Sequence, residues 1–256
     1  MTVSSPSPES TISIRLSTDG FCFSVLDPTS EGGTVYVDLP VDNERSLTAN
    51  LRQAFRQTEL LRQSYRRSNV VVAGSRWTLV PLEMFDDDQA EQVFYYNHPA
   101  SDHEVVCYNI LKRGNAVVVF GVDRAVHDFV RQQWPEVRIF AQSTPLIEHF
   151  AYRSRMGNSR KLYAFVHGEY LNVYAMDRGR LLLGNSVACR LTSDRTYYLM
   201  YIWRQLGLDQ ERDELHLSGL LPDKEALVSE LRRYVRQVFV ASPAPYLDLQ
   251  ALETME

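Results

Sequence analysis

The stretch Ile12-Ser-Ile-Arg-Leu-Ser-Thr-Asp-Gly-Phe-Cys-Phe-Ser-Val25 decides how this chain is read. Ile12, Ile14 and Leu16 alternate with polar neighbours, Phe21, Phe23 and Val25 alternate after them, and Asp19-Gly20 stands between the two runs. An Asp-Gly step between alternating runs predicts a hairpin, because glycine takes positive φ without a Cβ clash. Gly32-Gly33 then turns into Thr34 to Leu39, rich in β-branched residues, so three antiparallel strands are expected. From Ser46 the period changes. Leu47, Leu51, Phe55, Leu61 and Tyr65 share one helical face, and Arg52, Arg56, Arg62 and Arg66 fall mainly on the solvent side. Val70-Val71-Val72-Ala73, ended by Gly74, reads as a strand buried on both faces. Residues 12–74 therefore spell strand, strand, strand, helix, strand.

The second half repeats that word. Leu162 to Val166 and Leu171 to Ala175 flank a turn at Gly168, Leu181 to Val187 makes a third strand, Ser193-Asp194 opens a helix, and Glu214 to Leu217 is a strand closed by Ser218-Gly219. Gly20 and Gly168, Ser46 and Ser193, and Val70 and Leu215 are separated by nearly the same interval, although the copies share almost no residues. Between the copies a helix is expected over Asp86 to Phe94, then a hairpin of Glu104 to Leu111 and Ala116 to Val122 across Arg113-Gly114-Asn115. A helix from Arg124 to Trp134, a strand from Val137 to Ala141 and a linking helix from Thr144 to Arg155 follow. Pro222 suits position N1 of a helix reaching Tyr234, and Val235 to Val240 is a last strand. The expected organisation is a disordered tail over 1–10, one subdomain over 11–145, a second over 146–240, and a C-terminal tail over 241–256 that carries Pro243 and Pro245.

Composition narrows the class without naming a function. The 256 residues and 29.5 kDa are 45% hydrophobic and 23% charged, with mean hydropathy −0.27, as in an ordinary globular protein. Lys and Arg number 27 against 32 Asp and Glu, giving a formal charge of −5 and a pI near 5.7, which argues against a nucleic-acid partner. No apolar run is long enough to span a bilayer and no signal peptide is visible, and Cys22, Cys107 and Cys189 are far apart without a CxxC. A cytoplasmic protein with buried thiols is expected.

The repeated word resembles the actin-like ATPases, the superfamily of actin, sugar kinases and heat-shock chaperones. The fold class expected is thus α/β, with two similar actin-like, ribonuclease H-like subdomains. The opening hairpin, Thr78-Leu-Val-Pro81, and Gly184-Asn-Ser186 followed by Asp194-Arg-Thr-Tyr-Tyr198 are similar to a Bacteroidetes family of actin-like ATPase fold and no established function. At the level of fold alone the chain is also similar to the actin-like proteins of type IV pilus and type II secretion assembly. The resemblance implies a cleft between subdomains in which Asp19, Gly20, Gly168, Ser218 and Gly219 would lie nearest to Mg-ATP.

The residues depart from that pattern. Actin-like loops need an Asp to position Mg2+ and small residues where phosphate approaches the backbone. Here Asp19 and Gly20 are adjacent, bulky Phe21 follows, His167-Gly168-Glu169-Tyr170 carries no Asp, and the paired glycines of the adenosine side are reduced to Ser218-Gly219. Only Lys112, Lys161 and Lys224 are available to neutralise phosphate. These departures favour a non-catalytic or weakly nucleotide-binding protein acting through a protein partner. The alternative is an active Mg-ATP-dependent ATPase or phosphotransferase resting on Asp19.

Other candidates are weaker. Asn97 to Glu104 gathers two His and two carboxylates but reads as a solvated loop, and Asp86-Asp87-Asp88 reads as a helix start. Arg52, Arg56, Arg62, Arg66 and Arg67, and Arg153, Arg155, Arg160 and Lys161 around Gly157, read as solvated faces, with patches for an anionic ligand or a protein partner as the alternative; a sensor of an anionic metabolite would depend on Arg153 or Arg155. The Tyr-rich helix from Thr196 to Trp203 reads as core.

Overall fold

The structure, a computed structural model, describes residues 7, 9–27, 33–241 and 245–255. It divides into two compact units. One holds the chain to Trp77 with Asp86–Asn109 and Val119–Gln142; the other holds Thr78–Phe85, Ile110–Val118 and everything from Ser143. The expected boundaries, 11–145 and 146–240, differ from this because the two short segments from the middle of the chain cluster with the second unit.

In the first unit β1 (Thr11–Ser17), β2 (Gly20–Leu26) and β3 (Thr34–Leu39) are antiparallel neighbours, and β4 (Arg67–Val72) and β8 (Arg138–Ala141) extend the sheet in parallel, giving the order β3-β2-β1-β4-β8. Alternation puts Ile12, Ile14, Leu16, Phe21 and Phe23 on one face, where α1 (Leu47–Gln57) and α3 (Arg124–Gln133) cover them with Leu51, Phe55, Val126 and Val130. Both helices start on side-chain caps: the Ser46 hydroxyl accepts from Ala49 N–H at 3.2 Å and Asp123 from Val126 N–H at 2.9 Å. The Arg-bearing helix is shorter than its sequence pattern suggests. It stops at Gln57, a 3-10 turn covers Glu59–Arg62, and Tyr65 is held by its hydroxyl on the Leu60 carbonyl at 2.6 Å.

The second unit repeats the order as β11-β10-β9-β12-β13, from β9 (Arg160–His167), β10 (Tyr170–Asp177), β11 (Arg180–Ala188), β12 (Glu214–Gly219) and β13 (Gln237–Val240). The first three are antiparallel and the last two join in parallel, as in the first unit. Leu162, Ala164, Val166, Leu215 and Leu217 face α5 (Thr192–Gln205) and α6 (Lys224–Leu231), which contribute Leu199, Trp203, Leu227 and Leu231. α4 (Ser143–Ser154) lies on the other face and packs on α7 (Leu247–Met255). A third sheet has the order β5-β7-β6, from β5 (Trp77–Pro81), which the sequence reading left unassigned, and the expected hairpin β6 (Glu104–Leu111) and β7 (Ala116–Asp123). The last helix, α2 (Ala90–Asn97), starts later than expected because Asp86 caps a 3-10 turn at Asp87–Gln89 instead.

Several expectations are corrected. The C-terminal stretch is not a tail: α7 buries Asp248, Leu249, Ala251 and Leu252, while Pro243 lies outside the described residues. Near the N-terminus Ser10 is buried, and the Ser7 hydroxyl donates to Asp27 at 2.8 Å. α6 starts at Lys224 after Asp223 and ends at Leu231, short of Tyr234. In α5 the tyrosines are not all core: Tyr197 and Tyr201 are 64% and 51% exposed, while Leu199, Ile202 and Trp203 are buried. Cys22 and Cys189 are buried free thiols and Cys107 is half-buried. The Gly32-Gly33 turn falls partly outside the described residues.

Candidate functional site

The two hairpin turns sit one residue earlier than the glycine pattern suggests in the first copy. Ser17 pairs with Gly20 and His167 with Tyr170, so the turns are Thr18-Asp19 and Gly168-Glu169, and Gly20 already belongs to β2. Asp19 and Glu169 therefore hold the same position; the second loop has Glu where the first has Asp, and has not dropped its carboxylate. Each acid has a partner within its own unit. The Ser17 hydroxyl donates a short hydrogen bond to Asp19 Oδ1. Glu169 takes both Arg190 Nε at 2.7 Å and Arg190 Nη2 at 2.9 Å, and its carbonyl accepts from Cys189 N–H at 2.7 Å. Phe21 points into the core of the first unit, so its bulk does not occupy the turn.

In the second unit Gly168, Ser218 and Gly219 come together where β9 and β12 end, since Gly219 pairs with Val166. Their chemistry is used locally. The Ser218 hydroxyl donates to the Ala164 carbonyl at 3.1 Å, and Leu220 N–H to the Val166 carbonyl at 2.9 Å. Gly219 has φ +86°, and a Cβ there would stand 2.1 Å from the Val166 oxygen. Glycine is required by the neighbouring strand, with no space left on that side for a phosphate. Taken unit by unit, these residues do not fit Mg-ATP well: one Asp19 oxygen is engaged, Glu169 is neutralised, and the Gly219 side is filled.

The second unit also encloses a cavity of about 420 Å³ on the α4 face of its sheet. Strand alternation places Lys161 and Tyr163 of β9, Glu214, His216 and Ser218 of β12, and Phe239 of β13 along it, under His149, Phe150 and Arg153 of α4. Four rings stack across it: Phe150 on Tyr163 at 4.3 Å, Tyr163 on His216 at 4.9 Å, and His216 on Phe239 at 5.0 Å. Lys161 Nζ donates to the Met156 carbonyl at 2.8 Å and to the Ser159 hydroxyl at 3.1 Å, and lies 3.3 Å from Glu214. His216 Nε2 meets the other Glu214 oxygen at 2.7 Å, so the proton belongs on Nε2 and Nδ1 is left as an acceptor. Burial lowers the His216 pKa against the pull of Glu214, and burial followed by the Arg153 charge lowers that of His149, so both imidazoles are held neutral. Burial pushes Glu214 up, but hydrogen bonds from Ser159 and His216 and the charge of Lys161 leave it below its ordinary value. Burial also raises the Tyr163 hydroxyl. Lys161 is the second residue of β9 and Gly168 follows its end, roughly 20 Å apart along the strand, so this lysine does not serve the glycine turn.

The sequence missed this cavity because its rings come from four separate elements. The one signal was the basic cluster around Gly157, which the structure disperses. Arg160 is spent on Asp213 at 2.9 Å and on the Leu206 and Gly207 carbonyls, Arg155 lies over Gly179, and Lys161 and Arg153 line the cavity. Elsewhere, Arg62, Arg66, Arg67 and Arg138 line a cavity of about 640 Å³ in the first unit, with Arg66 paired to Glu9 at 2.7 Å and Arg138 bonded to Asn69. In the 97–104 loop Glu104 is bidentate on Arg76 at 2.8 and 2.6 Å and His98 Nε2 bonds the Trp77 carbonyl at 3.2 Å, so these groups hold the loop together. Asp86, Asp87 and Asp88 bring their carboxylates within 4.8 Å of one another, all exposed. Among the described residues no helix is long and apolar enough to cross a membrane.

Two sheets of matching strand order, three antiparallel strands followed by two parallel ones with helices on their faces, define an actin-like ATPase fold. The comparisons agree. The chain is similar, at 49% identity and TM-score 0.93 over 98% of its length and 97% of the other chain, to a protein from Bacteroides thetaiotaomicron VPI-5482 with an actin-like ATPase fold and unknown function. It is similar in fold alone to a chain of the PilM-PilN type IV pilus biogenesis complex, at 13% identity and TM-score 0.57 over 91% of this chain and 88% of that one. No curated protein matches. The chain belongs to DUF3822, a protein family of unknown function whose model matches residues 4–238.

Proposed function

We propose that this chain is an actin-like protein that does not hydrolyse ATP and works through contacts with a protein partner. One observation carries the proposal: the groups that the fold would aim at Mg-ATP are engaged within their own units, Asp19 by Ser17, Glu169 by Arg190, and the Gly219 side by Val166. Catalysis of phosphoryl transfer needs carboxylates for the metal and cations for the developing charge; here one Asp19 oxygen is already bonded, Glu169 is paired with Arg190, and neither two-residue turn carries a lysine or arginine. The PilM-PilN complex is a case of this fold assembled with a protein, which is the role proposed here.

The test is thermal unfolding with and without several millimolar Mg-ATP, with AMP and inorganic phosphate as controls, beside a turnover assay. Ligand at about 100 times its Kd adds ~2.7 kcal/mol, roughly 5–10 °C for a chain of this size. The expected result is no ATP-specific shift and no turnover. A shift of that order, abolished by Asp19→Ala, refutes the proposal in favour of a Mg-ATP-dependent ATPase or phosphotransferase.

The β9–β12 cavity supports a second reading, a sensor of a small anionic ligand. Arg153 stands over His149, His216 and Tyr163 with no carboxylate within 4 Å among the described residues. On this reading Arg153→Ala abolishes stabilisation by inorganic phosphate or a dicarboxylate, and Asp19→Ala leaves it intact.

A further inference from the structure

The two five-stranded sheets end alike but are finished differently. β8 and β13 are their last strands, each parallel to a single neighbour. Gln142 N–H donates to the Val72 carbonyl and Ala241 N–H to the Leu217 carbonyl, both at 2.9 Å. Alternate residues of each edge strand therefore turn their backbone groups outward: Ile139 and Ala141 in β8, Val238 and Val240 in β13. In the first unit Asn109 closes the edge. Its Nδ2 donates to the Ile139 carbonyl at 2.9 Å and its Oδ1 accepts from Ala141 N–H at 3.0 Å, as one residue of an added parallel strand would. In the second unit neither the Val238 carbonyl nor the Val240 N–H has a hydrogen-bond partner among the described residues. An open edge of this kind is a template for another chain unless something covers it.

A cavity of about 650 Å³ lies between this edge and α6, with Lys224, Glu225, Val228, Arg232 and Val238–Val240 in its lining. Lys224, Val228 and Arg232 share one face of α6, and neither cation has an acidic partner within 4 Å among the described residues. With Glu225 the lining keeps one net positive charge. Eight helical residues rise about 12 Å and four strand residues about 13 Å, so side chains at i and i+4 of an added strand match Lys224 and Arg232, with i+2 over Val228.

The geometry points to β13 as a docking edge for an extended segment of a partner protein, added as a further parallel strand, with acidic residues four apart and an apolar residue between them. The amide that Asn109 presents to β8 is the chemistry of the occupant, and the cations of α6 set its charge. This inference rests on the reading of the chain as one that works through protein contacts. A second copy fits less well, because pairing two β13 edges brings both sets of Lys224 and Arg232 together.

The probe is a fluorescein-labelled peptide carrying Asp-Thr-Val-Thr-Asp between glycines, titrated with the full chain by fluorescence anisotropy. Saturable binding is expected, with none for Lys-Thr-Val-Thr-Lys, and Arg232→Glu weakens it about tenfold or more. Val240→Pro removes an outward N–H that makes no bond to β12, so it abolishes binding while the circular dichroism spectrum is unchanged. Should that variant not fold, a peptide N-methylated at both threonines removes the N–H that donates to the Val238 carbonyl, the other hydrogen bond of this edge, and must not bind. No binding near millimolar peptide, or binding indifferent to both changes, overturns the proposal; so does a concentration-dependent dimer that Val240→Pro dissolves, which makes a second copy the occupant. A chain that ignores both Mg-ATP and the peptide refutes the docking edge alone. A chain that hydrolyses ATP refutes the underlying reading whatever the peptide does.

Discussion

Gly219→Ala separates a glycine kept for a ligand from one kept for the neighbouring strand. The substituted Cβ would lie 2.1 Å from the Val166 oxygen and 2.9 Å from both its carbonyl carbon and its nitrogen, all backbone atoms of β9. A side chain could rotate away from such a clash, but a strand paired on both sides cannot. Holding alanine at φ +86° adds the left-handed penalty, about 1–2 kcal/mol, and forcing the strands apart adds the ~1–3 kcal/mol typical of overpacking. A total of roughly 2–5 kcal/mol lowers the unfolding midpoint by about 5–15 °C in a chain of this size. Gly207→Ala is the control. It has φ +57° and nothing within 4 Å of the added Cβ, so it carries the backbone penalty alone, about 1–2 kcal/mol. Thermal and urea unfolding of both variants, without ligand, give the difference due to the clash. If Gly219→Ala is no less stable than Gly207→Ala, Val166 does not account for the glycine and a ligand must.

The remaining predictions concern charge. Glu148 is 1% exposed and accepts from Arg113 N–H at 2.9 Å and Arg113 Nη1 at 3.0 Å, so it ties α4 to the β6–β7 turn. Glu148→Ala removes one partner of a buried pair, and because Arg113 is partly exposed the expected loss is about 3 kcal/mol, with Glu148→Gln recovering part; equal stability of all three in urea would show that the pair holds nothing. His149 and His216 both titrate below their ordinary value of 6.5 in the folded chain, so below that pH the unfolded state binds protons that the folded state refuses. Stability therefore rises with pH up to about 6.5 and falls on acidification. The His149→Gln, His216→Gln double variant has a flatter midpoint between about pH 5 and 7, and an unchanged slope would place the titrating groups elsewhere.

Local signals carried the fold further than they carried the site. The alternation of Ile12, Ile14 and Leu16, its repeat at Leu162, Ala164 and Val166, and the apolar run at Val70 all follow from burial of one or both strand faces, which a sequence displays directly. The errors came where tertiary contacts decide. Pro243 and Pro245 suggested a tail, although Leu249 and Leu252 recur at a helical spacing that buries them beside α4. Aligning the copies on Gly20 and Gly168 hid the equivalence of Asp19 and Glu169, which strand register alone reveals. Nothing local could bring Phe150, Tyr163, His216 and Phe239 into one stack, since each belongs to a different element.

The differences between the two copies are informative because the copies share a strand order. Both turns keep a carboxylate, and each bonds within its own unit, one Asp19 oxygen to the Ser17 hydroxyl and Glu169 to Arg190. At the other feature common to both, the last strand, the copies part. One unit devotes the side chain of Asn109 to closing its edge, which removes two outward backbone groups from competition for other chains. The other leaves the Val238 carbonyl and the Val240 N–H without a hydrogen-bond partner among the described residues, beside a cation-lined groove. An unmet edge retained in only one of two equivalent units argues for use at that edge, and places the search for a partner on β13 ahead of the glycine turns.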